Sequence, residues 1–269
     1  MIDLLIPVFS VVALTFAGLA LWRALFGAAK HPLVSLLRFS CLFLLAGLLV
    51  ALTAWQISNA WSFQVFGGLV PRVETSKPLV ALTFDDGPSD RRTGEVLAIL
   101  RDHGVKATFF VTGRALARKP DTGRRIAQEG HELGNHSFSH RRMILTPLSV
   151  IGEEIERTDD LIRATGYQGP MHFRSPGGKK LFALPYYLRR TGRLNIFWDV
   201  APEGYEGASE DGGLIVERVL AGTQPGSIIL LHVMAEQRAT SRQALPGIIE
   251  GLKQRGYRFV TVSELLAEQ

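Results

Sequence analysis

At 269 residues the chain has room for one large domain plus an appendage, and its single cysteine, Cys41, excludes an intramolecular disulfide framework. Thirty Lys and Arg against 25 Asp and Glu leave a net charge of +5, split as +2 over residues 1–70 and +3 over the remainder. Both signs are interspersed along the remainder, which argues against a nucleic-acid binder and is compatible with an anionic partner such as a membrane surface or a cell-wall polymer.

The chain opens with two uncharged apolar runs, Leu4 to Trp22 and Phe39 to Trp55, each close to the roughly 20 residues that span a bilayer. A cleaved signal peptide would have a basic start and a shorter apolar core, whereas this chain begins Met-Ile-Asp and carries a second run. The pattern predicts a two-helix transmembrane hairpin over residues 1–58. Arg23, Lys30 and Arg38 lie between or at the start of the runs, and Gln56 to Pro71 carry no charge. The positive-inside bias therefore puts the short loop in the cytoplasm and everything after about residue 71 outside the cytoplasmic membrane.

A linker over 59–78 leads into an alternating segment, 79–265. Strand-like runs fall at 79–84, 106–111, 131–135, 171–174, 194–200, 227–232 and 257–262. Helical periodicity fills several of the gaps, clearest at 95–104, 124–130, 148–166 and 245–256, each stopped by a glycine. Strands alternating with helices predict an α/β domain with a parallel sheet. A seven-stranded or incomplete β/α barrel fits best and a doubly wound open sheet second. Such barrels collect functional residues at the C-terminal ends of their strands, where the polar residues of this chain fall.

The first strand ends in LTFDDGP, with Asp85 and Asp86 adjacent. Neighbouring strand residues face opposite ways, so both carboxylates serve one site only if the strand ends between them, and Gly87-Pro88 provides that ending. Two such carboxylates stay ionised only beside a cation or an arginine. The third strand is followed by HSFSH, whose His136 and His140 would share one face of a helical turn. Two histidines and a carboxylate form a common divalent-metal set with one position left open. Asp86 would complete it, leaving Asp85 as the base that deprotonates an activated water.

Arg174 ends the fourth strand in FRSPGG, where it would keep Asp85 ionised, and the Gly177 N–H would polarise an oxyanion. The sixth strand ends in IILLH and delivers His232 as a general acid for a leaving amine. His31, His103, His131 and His172 have no comparable partners in sequence and read as structural.

TFDDGP, HSFSH, RSPGG and IILLH, in this order, resemble four of the five motifs of the polysaccharide deacetylases, the NodB-homology domain of carbohydrate esterase family 4, over about residues 75–265. The resemblance implies a metal-dependent hydrolase on a distorted (β/α)7 barrel that removes acetyl groups from N-acetylglucosamine units of chitin-like polymers, peptidoglycan or exopolysaccharide. It implies zinc held by Asp86, His136 and His140, Asp85 as base, Arg174 as its partner and His232 as acid. The remaining family motif resembles Trp-x-x-Asp-x-x-Asp-Trp, whose second Asp tunes the acid histidine. Here the stretch reads WDVAPEGYEG, with Ala201 and Gly204 at the aspartate positions and Tyr205 at the tryptophan. Glu203 or Asp199 is expected to replace the missing carboxylate, and Tyr205, Trp198 and Leu231 are candidates for the sugar pocket. Two other readings compete. An aspartyl phosphatase leaves the histidine pair unexplained, and a carbohydrate-binding protein on the same fold needs neither a base nor an acid.

Overall fold

A computed structural model describes residues 32–204, 206–208 and 211–269. The first apolar run, the loop carrying Arg23, Lys30 and His31, and Tyr205 lie outside these residues. The chain divides into two compact units, Met1–Phe63 and Gln64–Gln269. Within the first, a helix spans Pro32–Asn59 and carries the second apolar run. Its stretch Leu36–Asn59, 24 residues, is long and apolar enough to cross a membrane.

The second unit is an α/β fold of parallel strands. Its strands are β1 (Leu69–Val70), β2 (Leu79–Asp85), β3 (Thr108–Val111), β4 (Glu132–Asn135), β5 (Asn195–Ile196), β6 (Ile228–Leu231) and β7 (Arg258–Val260). β2 is the hub, pairing with β6 over its middle, with β3 at its end and with β7 at its start, while β4 extends the sheet beyond β3. Isolated parallel bridges continue from Asn135 to Phe173 and from Phe173 to Asn195, and Val200 bridges back to Ile229 of β6. The run of pairings thus closes on itself. Part of the stretch 59–78 belongs to this unit, since β1 pairs with β5 and Val73 is fully buried.

Strand alternation sorts the core into two faces. Val80, Leu82 and Phe84 of β2 pack with Phe109, Ile229 and Leu231 and with the apolar stripes of the helices Asp90–Asp102 and Ala239–Gln254. Leu79 and Ala81 point the other way and pack with Phe110, Ile228, Leu230, Phe197 and Trp198. Thr83 and Asp85 continue that second face by period, and so does His232 after Ile228 and Leu230. The same alternation corrects one expectation. Leu231 is fully buried on the first face, packed toward helices, so it is not a surface wall of a sugar pocket.

Two expected strands are shorter than their sequence patterns. Of 171–174 only Phe173 is bridged, and of 194–200 only Asn195–Ile196 form a strand. At the end of β5 the Phe197 N–H still donates to the Val70 carbonyl, while the carbonyls of Ile196 and Phe197 accept from the Arg174 side chain. Helices over Gly113–Arg118, Ala183–Arg190, Gly212–Gly222 and Val262–Leu266 complete the unit and were not among the clear periodic segments. At β4, Gly134 is required by close approach, because a Cβ there would come within 2.5 Å of the Phe110 ring.

The end of the strands away from the motif residues is locked by Glu132, the first residue of β4. Its carboxylate accepts from Thr108 Oγ1 at 2.8 Å, from the Ser263 N–H at 3.1 Å and from Ser263 Oγ at 2.5 Å, fastening the C-terminal helix to the sheet. His172 Nε2 lies 3.0 Å from Ser263 Oγ in the same cluster. Glu132→Ala strands these donors in a buried site and is expected to cost about 3 kcal/mol of stability. Denaturant unfolding checks it, with metal affinity expected to stay unchanged; a wild-type midpoint would show that the lock contributes nothing.

Candidate active site

β2 ends at Asp85, and Asp86 follows in the left-handed region at φ 70°, which turns its side chain out of the strand's alternation. The two carboxylates thereby enter one site with different surroundings. Asp85 is buried at 2% exposure and Asp86 is half-buried.

Arg174 is completely buried against Asp85. Its NH1 donates to Asp85 Oδ1 at 2.7 Å and to Thr83 Oγ1 at 2.8 Å, while Nε and NH2 reach the Ile196 and Phe197 carbonyls at 3.0 Å each. The guanidinium lies over the Phe110 ring at 4.0 Å and faces Trp198 at 5.4 Å. Burial alone would push the Asp85 carboxyl up, but Arg174, helped by His136 and His232, holds it below the ordinary carboxylate value.

The histidine pair is brought together differently from the sequence expectation. Residues 136–140 form a loop rather than a helical turn, with Ser137 and His140 both at φ 62°. Side chains clamp this shape, because such backbone is costly for non-glycine residues. Asn135 Oδ1 accepts the Ser137 N–H, Ser137 Oγ accepts the His140 N–H, and Glu154 accepts both the N–H and the Oγ–H of Ser139. The two rings still meet, with centroids 5.0 Å apart. Neither Asn135 nor Glu154 was singled out from the sequence. Asn135 carried a usable signal as a polar residue at a strand end, but Glu154 looks like any polar position on an amphipathic helix.

Asp86, His136 and His140 each present a ligand atom, and these atoms lie within 4.8 Å of one another. The donor set fits a divalent metal. His136 Nδ1 lies 2.8 Å from the Arg174 carbonyl, so it carries the proton and leaves Nε2 as a lone-pair donor. Burial also keeps the His136 ring below its usual pKa, favouring the neutral ligand form. Its Nε2 is 3.6 Å from Asp85 Oδ2, and His140 Nε2 is 3.5 Å from Asp86 Oδ1. His136 is buried while His140 is exposed, so the cluster opens to solvent on one side.

Across from this cluster stands His232, just beyond β6. Glu203 Oε2 lies 2.5 Å from His232 Nδ1, and both Glu203 oxygens accept the His232 backbone N–H at 3.1 Å. Burial opposes charging of this imidazole, but Glu203, Asp85 and Asp86 outweigh it and raise its pKa above the usual histidine value. Asp199 is elsewhere: it accepts from Ser227 Oγ at 2.7 Å and from the Ile228 N–H at 2.8 Å. Trp198 is buried at 8% exposure and stacks on Phe197.

Gly177 sits in a tight turn at φ 60°, a conformation that favours glycine. The N–H groups of the next two residues are consumed by the turn, Gly178 on the Ser175 carbonyl and Lys179 on the Pro176 carbonyl. Chemically, the whole arrangement combines an ionised buried carboxylate, a metal-competent triad with an open side, and a carboxylate-supported imidazole.

The α/β fold of the second unit is shared with known hydrolases. The polysaccharide deacetylase family model matches residues 72–194. A peptidoglycan-N-acetylglucosamine deacetylase of Bacillus cereus is 34% identical over 199 residues, covering 72% of this chain and 91% of the relative. A peptidoglycan-N-acetylmuramic acid deacetylase of Bacillus subtilis is 32% identical over 200 residues, covering 72% and 74%. The crystal structure of the Bc1960 peptidoglycan N-acetylglucosamine deacetylase superposes with a TM-score of 0.70 at 32% identity, covering 75% of this chain and 94% of that one. The chain belongs to the polysaccharide deacetylase family, carbohydrate esterase family 4, and is a hydrolase of that class.

Two measurements test the site. Arg174→Met leaves a buried carboxylate without its cation and is expected to cost about 3–5 kcal/mol, most of it recovered when Asp85 is also replaced by Leu. Thermal unfolding of the single and double variants checks this, and a fully stable Arg174→Met chain would show that the pair is not coupled. Glu203→Gln removes the main support of a protonated His232. If His232 acts as an acid, activity is lost as pH rises through its raised pKa, so the basic limb of the pH–rate profile moves to lower pH. An unmoved limb would take Glu203 out of that role.

Proposed function

We propose that the chain is a membrane-anchored, metal-dependent deacetylase that removes N-acetyl groups from an N-acetylglucosamine-containing cell-wall glycan, working outside the cytoplasmic membrane. The observation that supports this reading is Asp85, held ionised by Arg174, 3.6 Å from His136 of the Asp86–His136–His140 cluster and electrostatically coupled to His232, which Glu203 holds.

Asp86, His136 and His140 would hold the divalent ion, for which the imidazole and carboxylate donors make zinc the first choice. When bound, that ion supplies Lewis-acid polarisation of the acyl carbonyl and makes a nearby water more acidic. Asp85 receives the proton of the attacking water. Its low pKa makes it a weak base, so it suits a water that is already acidified and would not suit bulk water. Arg174 keeps this carboxylate charged and fixes its direction, leaving Oδ2 toward His136.

The Gly177 N–H is assigned to the oxyanion that forms as water adds to the acyl carbon. On the opposite side, His232 Nε2 gives a proton to the departing sugar amine. Glu203, on Nδ1, holds the ring in that tautomer and keeps it charged. Trp198 and Tyr205 are assigned to the wall of the sugar pocket. The parallel pairings that close through Phe173 and Val200 support the (β/α)7 barrel reading of residues 79–265, with 59–78 as the approach.

The helix Pro32–Asn59 supports an anchor, and with the run at Leu4 to Trp22 it would form the two-span hairpin. The deciding experiment is acetate release by the purified chain from N-acetylglucosamine oligomers and from peptidoglycan, with zinc and with a chelator. Chelator-sensitive release is expected, with Asp85→Asn lowering kcat by about two to four orders of magnitude. Release that survives exhaustive metal removal would overturn the metal assignment.

A further inference from the structure

Beside the active-site loop lies a second feature that the reaction leaves unused. A cleft of about 440 Å³ is lined by Arg114, Arg141 and Arg157, with Phe138, Glu153 and Glu154. Its floor is the metal-binding loop itself, since Phe138 and Ser139 lie between His136 and His140. Arg141 and Arg142 directly follow His140. Arg142 continues the cationic rim to the catalytic turn, its Nε 3.8 Å from where a Cβ on Gly177 would stand.

The charge is only partly offset from within, since Glu153 and Glu154 line the cleft with the arginines. Arg114, Arg141, Arg142 and Arg157 are all exposed, and among the described residues none of them forms an ion pair. Among the described residues of the same unit some surface arginines are paired with carboxylates, as Arg92 is with Glu95 and Glu236 and Arg125 with Glu129, and others, such as Arg118 and Arg190, are not; what sets these four apart is their gathering beside one loop. Of the two acids in the cleft, Glu154 is committed to the Ser139 N–H and Oγ–H, at 2.7 and 2.6 Å. Glu153 is exposed at the rim. Arg157 is prepositioned, its guanidinium carbon 3.7 Å from the centre of the Phe138 ring. That stacking orders the planar donor fork at little further entropic cost and leaves its edge N–H groups free for an oxyanion.

From this juxtaposition we infer that the chain selects a carboxylate-bearing glycan, seating the anionic substituent of the polymer in the arginine cleft while a neighbouring acetamido group lies at the metal cluster. This rests on the deacetylase reading above and narrows its substrate class: a neutral N-acetylglucosamine chain would leave the excess of four arginines over two carboxylates unanswered, whereas a peptidoglycan strand carries carboxylates on stem peptides and on the lactyl ether. Arg–carboxylate pairing is geometrically specific and roughly twice as strong as a neutral hydrogen bond, so it separates substrates that share the same acetamido group.

The test uses the full chain in detergent micelles with zinc, and compares Arg141→Gln/Arg157→Gln with wild type. Three probes are used: a neutral N-acetylglucosamine tetramer, glycan fragments carrying stem peptides, and the same fragments stripped of peptide so that only lactyl carboxylates remain. The wild type is expected to prefer a charged probe, and the double variant to lose about tenfold or more in kcat/KM on it while staying within about twofold on the tetramer. Loss on the peptide-bearing probe alone assigns the anion to the stem, and loss on both charged probes assigns it to the lactyl group. Raising the salt should erode the preference.

Equal loss on all three probes would mean that the arginines merely hold the loop, and no loss, or no wild-type preference, would remove the cleft from recognition. Each of these overturns the inference while leaving the deacetylase standing. If wild type releases acetate from none of the probes, the deacetylase reading falls, and calorimetric binding of the peptide-bearing fragment still decides this one. Tighter, salt-sensitive binding to wild type than to the double variant upholds it, and equal binding overturns it.

Discussion

The buried pair of Arg174 and Asp85 is the constraint around which the catalytic unit is arranged. Neither charge tolerates the interior alone, since desolvating a single ion costs several kcal/mol. The fold therefore supplies Arg174 with two carbonyls, a hydroxyl and a carboxylate, and with an aromatic ring on its face. Those carbonyls belong to Ile196, the last residue of β5, and to Phe197 just beyond it. The backbone of Arg174 extends the same coupling, because its carbonyl sets the tautomer of His136. A single residue thus joins the carboxylate, the metal-competent imidazole and the end of β5.

The two walls of the site are held by different means. The wall bearing Asp86, His136 and His140 relies on left-handed backbone at Asp86, Ser137 and His140, conformations worth roughly 1–3 kcal/mol of strain apiece for non-glycine residues. Asn135 and Glu154 satisfy the loop's N–H groups and keep that strain in place. Asn135 is in turn anchored to the neighbouring helix through the Ile155 carbonyl and Asp159. The opposite wall depends on one short segment, Pro202–Gly204, which carries Glu203 to His232. Its carboxylate grips both the backbone and the ring of that histidine, so position and charge are set together.

Glu154 connects this chemistry to the surface beyond it. By turning its carboxylate onto Ser139 it stabilises the loop that carries His136 and His140, and it also lines the cleft of Arg114, Arg141 and Arg157. The opposite end of the strands is organised for stability instead: Glu132, Thr108, Ser263 and His172 form a closed polar cluster there, remote from the strand ends that carry Asp85 and His232.

The sequence by itself was enough to place Asp85, Asp86, His136 and His232 at or just beyond strand ends, because the continuous apolar runs of β2 and β6 and the Gly-Pro after β2 are local properties. It also marked a missing carboxylate near 201–204. The tertiary structure decided between Glu203 and Asp199 as the partner of His232, since the choice depends on how a loop packs across β6 and not on spacing along the chain. It replaced the expected helical turn at HSFSH with a clamped loop, because the acceptors that hold it come from Asn135 and from a helix 15 residues away at Glu154. It also turned Leu231 into core, for a residue's face in a sheet is set by register against its neighbours. What local periodicity encodes is readable one residue at a time; which charge meets which partner is settled only when distant segments share the same low-dielectric space.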